Sequence, residues 1–273
     1  MKNIIRTTII CVSLIAINLI FTGQNFAKID PGSIIGVWLL DEGKGEAARD
    51  SSPNSNDGTL NKGPKWVDGK FGKALEFDGK DDYVQIPPSP LFNPKEFTVT
   101  FWMFPYTIGG NNPAGKGTAT LIVANGNPGD GGGSNWWFEF WNGGNLEFKS
   151  CKPDCSAAVT PVNIPNKWYF VAGTYDGANY GLYIDGELKS TGPNAVDATQ
   201  RGLLIGSGLC PAGHGCDGGY YKGIIDDVAM FNGVLAGDDI KSIMNKGLGT
   251  ELGIASVEPA GKLTVIWGSI KAR

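Results

Sequence analysis

Alternation of hydrophobic and polar positions runs through most of the chain and predicts β-strands. Residues 34–40 (IIGVWLL) form the first strand candidate. Residues 97–104 (FTVTFWMF) are apolar at both alternating sets of positions, as expected of a central strand that is covered on two sides. About a dozen short runs of this kind, separated by turn-forming residues, indicate an all-β protein.

Asp-Gly pairs mark the turns between several of these strands. Residues 166–188 (NKWYFVAGTYDGANYGLYIDGEL) contain Asp176-Gly177 and Asp185-Gly186 between alternating runs. Such pairs favour hairpins because the turn needs positive φ values. We therefore interpret the carboxylates of this stretch as turn residues of a β-meander.

One short helix is predicted near the C-terminus. Ile240, Ile243 and Met244 have helical spacing, acidic residues occupy the first turn, and Gly247 is a typical stop. Residues 262–270 (KLTVIWGSI) read as a weak final strand. The whole pattern predicts a two-sheet antiparallel sandwich with one helix.

The first 27 residues have the order of a secretory signal peptide. Lys2 and Arg6 precede an apolar run over residues 7–21, and a small residue, Ala27, ends the segment. A membrane anchor is the alternative, but the run is shorter than the roughly 20 residues that span a bilayer. We expect a secreted or cell-surface protein whose mature chain has no membrane span.

Charge and cysteine content narrow the class further. The net charge is −4, and it becomes −6 when residues 1–27, which contain two basic and no acidic residues, are removed. No cluster of Lys or Arg indicates a nucleic-acid surface. The four remaining cysteines form two close pairs, for which we predict disulfides Cys151–Cys155 and Cys210–Cys216. Zinc is the alternative, and sequence alone leaves the connectivity open.

Four blocks of sequence, in order, resemble the laminin-G-like jelly-roll domains of the concanavalin A-like lectin/glucanase superfamily. They are residues 36–60 (GVWLLDEGKGEAARDSSPNSNDGTL), 72–84 (GKALEFDGKDDYV), 167–188 (KWYFVAGTYDG and LYIDGEL) and 223–235 (GIIDDVAMFNGVL). The resemblance covers residues 33–248 and leaves 249–273 as a tail of unassigned role. It implies a jelly-roll sandwich, often with a structural calcium ion, that binds an extracellular ligand.

A catalytic site is not expected. The hydrolases of this superfamily carry an E-x-D-x-x-E run, which the sequence lacks. Asp185 and Glu187 straddle a turn, Asp226 and Asp227 are adjacent and should point to opposite faces, and Glu139 has no acidic neighbour two positions away. A glycoside hydrolase remains the alternative function, and a purely adhesive or structural module is a third.

A hairpin around residues 142–144 offers the best candidate binding surface. Alternation places Trp137, Glu139 and Trp141 on one face and Trp136, Phe138 and Phe140 on the other. Across the turn, Asn145, Glu147 and Lys149 extend the first face. Flat indole rings beside polar groups are the components of a sugar site. The alternative is that the indoles pack beneath a neighbouring loop.

A calcium site is the last candidate. Strict alternation puts Asp226 in an apolar row with Ile224, Val228 and Met230, where an unpaired carboxylate is costly. The resemblance implies that the oxygen-rich loop at residues 50–58 lies near this strand. We therefore expect Asp50, Asn54, Asn56 and Asp226 to hold Ca²⁺. The alternative is a hydrogen-bonded turn in which Asp226 accepts backbone N–H groups.

Overall fold

The structure, a computed structural model, describes residues 29–108, 120–126, 135–141, 144–151, 155–193, 196, 199–208 and 219–254. These residues form sixteen strands and two α-helices. The strands are β1 Ile34–Trp38, β2 Ala47–Ala48, β3 Gly58–Asn61, β4 Lys65–Asp68, β5 Lys73–Asp78, β6 Tyr83–Ile86, β7 Phe97–Pro105, β8 Thr120–Asn125, β9 Trp136–Trp141, β10 Asn145–Cys151, β11 Cys155–Pro161, β12 Tyr169–Tyr175, β13 Asn179–Ile184, β14 Glu187–Pro193, β15 Leu203–Ile205 and β16 Lys222–Asn232. The helices are α1 Gly237–Lys246 and α2 Leu248–Leu252.

The strands form two antiparallel sheets, which confirms the predicted sandwich. Sheet 1 has the order β14-β13-β12-β7-β16-β5-β4, and β1 pairs with the second half of β16. Sheet 2 has the order β11-β10-β9-β8-β15-β6-β3-β2. The run predicted to be a central strand, β7, lies between β12 and β16 in sheet 1. Nearly all of its side chains are buried, because one set packs in the core between the sheets and Trp102 packs in the cluster on the outer face.

The main core lies between the two sheets and is rich in aromatic side chains. On β9 it takes Trp136, Phe138 and Phe140, as the alternation predicts. Phe138 stacks on Phe148 of β10 with ring centroids 4.3 Å apart, and it meets Phe101 of β7 edge-on at 5.0 Å. Burying each such side chain stabilises the fold by about 1.5–3 kcal/mol. The outward side chains of β9 and β10 are thereby fixed on the opposite face of sheet 2.

The predicted Asp-Gly hairpin forms between β13 and β14. Asp185 and Gly186 both have positive φ, 51° and 77°. The Asp185 carboxylate also accepts the backbone N–H of Phe170 at 3.0 Å, so it joins the turn to β12. Asp176 caps the preceding turn by accepting N–H groups from Ala178 and Asn179. Both aspartates therefore have the structural role that the sequence indicates.

The two helices cover part of the outer face of sheet 1. Ile240 and Ile243 of α1 are fully buried in a second cluster that includes Phe170 and Phe231 of the sheet. The predicted helix is confirmed, but α2 follows it, and packing continues to Ile254. Packing against the outer face of sheet 1 therefore continues beyond residue 248. The predicted strand at 262–270 lies outside the described residues, and within them no helix is long and apolar enough to cross a bilayer.

The edge strands β11 and β14 close one side of the sandwich. The Ser156 hydroxyl donates to the carbonyl of Pro193 at 2.5 Å, and the backbone N–H of Val159 donates to the Ser190 hydroxyl at 3.1 Å. Gly192 lies so close to Ala157 that a Cβ there would be 2.5 Å from the Ala157 carbonyl oxygen. The two sheets are thus joined by contacts along this side as well as through the core.

Candidate functional site

The β9–β10 hairpin places the predicted binding residues on the outer face of sheet 2. Its register pairs Trp137 with Lys149, Glu139 with Glu147, and Trp141 with Asn145. All six side chains therefore share one face, as predicted from alternation. Alternation placed Glu147 on this face, but acidic pairs were sought only within one strand, so Glu147 was not paired with Glu139. The register of the same hairpin is the signal that gives this pair.

The three predicted ligand contacts lie at different depths. Trp137 is 1% exposed and Glu139 is 0% exposed, whereas Trp141 is only partly buried. Trp137 packs against Leu121 and Ala124 of β8, and the chain at Gly208 lies over those two residues. Of the three, Trp141 is therefore the residue whose ring offers surface to a ligand. Their role in binding stays a prediction.

A charged network joins the two indoles. Lys149 forms an ion pair with Glu139 and another with Glu147 at 3.0 Å. The Trp137 indole N–H donates to Glu139 Oε2 at 2.8 Å. The Lys149 ammonium also lies 4.9 Å from the centre of the Trp141 ring, a cation–π distance. Every charged group of the network thus has a partner in the protein.

Burial and neighbouring charges change the pKa values of Glu139 and Lys149. Burial raises the pKa of Glu139 above its ordinary value, and the neighbouring Lys149 charge opposes that rise. For Lys149, burial favours a lower pKa, but the carboxylates of Glu139 and Glu147 outweigh it and raise the pKa. The ammonium form of Lys149 is therefore strongly held between its two carboxylates.

Hydrogen bonds hold the loop that is predicted to bind calcium. Asp50 Oδ1 accepts the backbone N–H groups of Val37 and Ser52, both at 2.9 Å, and its Oδ2 accepts that of Asn56 at 2.8 Å. The side-chain amide of Asn54 donates to the carbonyls of residues 34 and 35 on β1. Both Asp50 oxygens are thus used to hold the loop against β1.

Asp226 holds a different segment, the turn between β4 and β5. Its Oδ2 accepts the N–H groups of Lys70 and Phe71 at 2.7 and 2.9 Å, while Oδ1 has no hydrogen-bond partner among the described residues. A Cβ at Gly69 would lie 2.5 Å from Oδ2, so the close approach of this turn requires glycine. The hydrogen bonds therefore tie Asp50, Asn54 and Asn56 to one loop and Asp226 to a different turn, and the four-residue calcium site stays a prediction. Calcium binding by the protein stays a prediction.

A β-bulge corrects the predicted direction of Asp226. The pairing of β16 with β7 shifts between Asp226 and Ala229, and Asp227 has a positive φ of 48°. Val228 and Met230 face the core, whereas Asp226 bonds to the turn on the outer face. Asp227 accepts the N–H of Leu248 at the start of α2, so both aspartates act on the helix side rather than on opposite faces.

The disulfide Cys151–Cys155 is present and joins the adjacent ends of β10 and β11, with Cα atoms 3.8 Å apart. It lies at the end of the hairpin that carries Lys149. The second predicted pair, Cys210 and Cys216, lies outside the described residues.

Comparison with solved structures shows the same fold in binding domains of low sequence identity. Domain 4 of an extracellular arabinanase from Geobacillus stearothermophilus, solved with arabinotriose, has a TM-score of 0.58 and 20% identity over 78% of this chain and 98% of that one. The binding domain of Paraclostridial mosquitocidal protein 1 gives 0.62 and 14%, covering 79% and 52% of the two chains. The receptor-binding domain of botulinum neurotoxin type G gives 0.59 and 13%, covering 78% and 51%.

This chain thus spans about half the length of the two toxin domains. No curated protein sequence matches it. A family model described as the concanavalin A-like lectin/glucanases superfamily matches residues 78–241, more than half of the chain. With the two-sheet fold already established, that match shows that the chain belongs to the laminin-G-like family of the concanavalin A-like lectin/glucanase superfamily.

Proposed function

We propose that the protein is an exported, non-enzymatic carbohydrate-binding module whose ligand binds to the outer face of sheet 2. The observation that carries the proposal is the partly exposed indole of Trp141 beside Lys149 and Glu147. An aromatic ring binds the C–H face of a sugar, and the adjacent ammonium and carboxylate can bind its hydroxyl groups. Trp137 and Glu139 then form the floor that positions Lys149.

The structural neighbours support a binding role over catalysis. The arabinanase domain was solved with an oligosaccharide, and the two toxin domains are described as binding domains. Low identity means that these likenesses establish the fold and not the ligand. A purely adhesive or structural module is the alternative from another class, and glycan binding distinguishes the two.

Export is the second part of the proposal, and it rests on the order of basic, apolar and small residues in positions 1–27. Ile29, just after this segment, is buried in the cluster beneath α1. N-terminal sequencing of the protein recovered outside the cell should begin near Lys28. A mature protein that retains residues 1–27 would contradict cleavage.

The binding site is tested by changing Trp141 to Ala. Losing a stacked indole at a binding centre typically costs about 2 kcal/mol or more, which weakens affinity about 30-fold. The melting temperature should change little because the ring is partly exposed. Affinity electrophoresis in gels that contain arabinan, xylan or hydroxyethylcellulose measures the first quantity, and thermal denaturation measures the second.

Two other tryptophans supply the controls. Trp168→Ala removes another partly buried indole, from the outer side of sheet 1, and should leave binding unchanged. Trp137→Ala removes a buried side chain, which typically costs about 3–5 kcal/mol of stability, so a loss of binding in that variant would not locate the site. If Trp168→Ala abolishes binding and Trp141→Ala does not, the ligand binds elsewhere.

Glycoside hydrolysis is the second candidate because Glu139 and Glu147 are direct cross-strand partners on one face. Retaining hydrolases use two carboxyl groups about 5–5.5 Å apart, and cross-strand neighbours have Cβ atoms at a similar separation. Two features argue against catalysis. Lys149 is bonded to both carboxylates, and Glu139 is fully buried, so a sugar cannot lie between them without breaking the ion pairs.

A further inference from the structure

The charges on the outer face of sheet 2 restrict the class of glycan that it can bind. Three neighbouring strands, β9, β10 and β11, place one set of side chains on this face. Among these side chains, Lys149 is the one cation, and Glu139 and Glu147 are the two anions. The other side chains of these three strands on that face are uncharged. The network therefore has a surplus of one negative charge beside the exposed part of Trp141.

The hydrogen-bonding capacity that remains suits hydroxyl groups. An ammonium group has three N–H bonds, and Lys149 uses one toward each of its two carboxylates. This leaves a third N–H of Lys149 as a donor and the second oxygen of Glu147 as an acceptor, on two groups that are in direct contact. The side chains of Lys149 and Glu147 are 12% and 11% exposed, so a ligand that lies on Trp141 can reach their edges. A sugar hydroxyl both donates and accepts, so it can use both groups.

A sugar that carries a carboxylate would bind less favourably on this face. Its carboxylate would lie beside a surplus negative charge, and Lys149, the one ammonium that β9, β10 and β11 place on this face, is already neutralised by two closer anions. Like charges near a protein surface repel measurably, and the net charge of −4 on the whole chain adds to that repulsion. We infer that this face selects electrically neutral polysaccharides over uronic-acid polymers, an inference that rests on the proposed carbohydrate-binding function.

Matched pairs of polymers test the selectivity. Affinity electrophoresis compares hydroxyethylcellulose with carboxymethylcellulose, and methyl-esterified with de-esterified homogalacturonan, beside neutral arabinan and xylan. We expect retardation by neutral polymers and at least tenfold weaker binding of the acidic member of any pair that binds. Raising the salt from 20 to 500 mM should narrow this ratio, because salt screens charge repulsion.

A pair of variants separates local charge from net charge. Glu147→Gln removes the surplus charge of the network and should narrow the neutral-to-acidic ratio about tenfold. Glu187→Gln removes the same charge from an exposed position on β14 of sheet 1 and should leave the ratio unchanged. Equal or tighter binding of the acidic polymers by the unmodified protein would overturn the inference while the proposed function stands. Failure of every polymer to bind would contradict the proposed function itself.

Discussion

The carboxyl group of Asp226 is held where ionisation is costly. It is fully buried, and burial together with the neighbouring Asp227 raises its pKa to about 9. Burial also raises the pKa of Asp227 to about 7. The two N–H groups that Asp226 accepts oppose its rise without cancelling it. At neutral pH, Asp226 is therefore a protonated acid that holds the turn before β5.

This arrangement predicts that stability falls as the pH rises. Both aspartates have folded-state pKa values above the unfolded value of 3.8, so their contribution is fully present below about pH 4 and is lost as the pH passes through 7 and then 9. We expect the melting temperature to fall by several degrees between pH 5 and pH 9. Asp226→Asn, which cannot ionise, should flatten much of this slope in thermal denaturation followed by circular dichroism.

The matched control is Asp81→Asn, which removes an exposed carboxylate on another loop and should keep the slope of the wild type. A wild-type melting temperature that is constant or rises from pH 5 to pH 9 would contradict the assignment of a protonated Asp226.

For single residues, the sequence predicts which face of a strand a side chain lies on, but it does not predict how deeply that side chain is buried. Alternation correctly assigned Trp137, Glu139 and Trp141 to one face, because the strand period fixes direction. It could not distinguish the buried Trp137 from the partly exposed Trp141, because depth depends on what distant segments cover. It also misassigned Asp226, since a bulge with positive φ at Asp227 is invisible to a strict period of two.

At the scale of elements, the loop between β2 and β3 depends on one carboxylate. Asp50 is buried, and three backbone N–H groups donate to it and would lose this acceptor in an alanine variant. Leaving a buried donor unsatisfied costs about 1–3 kcal/mol, so Asp50→Ala should lower the free energy of unfolding by about 3 kcal/mol or more. Chemical denaturation measures this loss. Glu46→Ala changes an exposed acid on the other side of β2 and should cost little stability.

Repeating the denaturation measurements in the presence of a chelator tests whether the folded protein binds calcium. If hydrogen bonds alone hold the loop, EDTA leaves both the wild-type stability and the Asp50→Ala difference unchanged. A calcium ion bound only by the folded protein would instead add about 2.7 kcal/mol at a hundredfold excess over its dissociation constant, and EDTA would remove it. Such a response in the wild type would show that a cation is bound.

Strands and turns were predictable where a short stretch of sequence determines its own backbone conformation. Asp185-Gly186 forms its hairpin because both residues adopt the positive φ that the turn requires. The three-residue β15 and the two-residue β2 were missed because runs this short have no recognisable period. Their pairing partners, β6 and β8 for β15 and β3 for β2, are distant in sequence or joined by a loop, so tertiary contacts determine them.

At the scale of the whole molecule, we expect binding without turnover. The one pair of acids that the β9–β10 hairpin brings together is occupied by Lys149, so no carboxylate there is available as a nucleophile. Incubation of the protein with arabinan, xylan and mixed-linkage glucan should release no reducing sugar above a buffer blank. Release that Glu139→Gln abolishes and Glu187→Gln preserves would instead identify a hydrolase.

The contacts between the edge strands β11 and β14 affect whether copies of this domain associate with one another. A long unpaired strand edge can recruit a strand from another chain, and this leads to aggregation or domain swapping. Here the edge strands β11 and β14 form hydrogen bonds with each other through serine hydroxyls and backbone groups. Gly192, which has no side chain, lets the two strands approach closely. Copies of the domain can therefore be crowded on one polymer, or linked in tandem, without exchanging strands along this side. Avidity for a repetitive glycan would then grow with copy number rather than being lost to self-association.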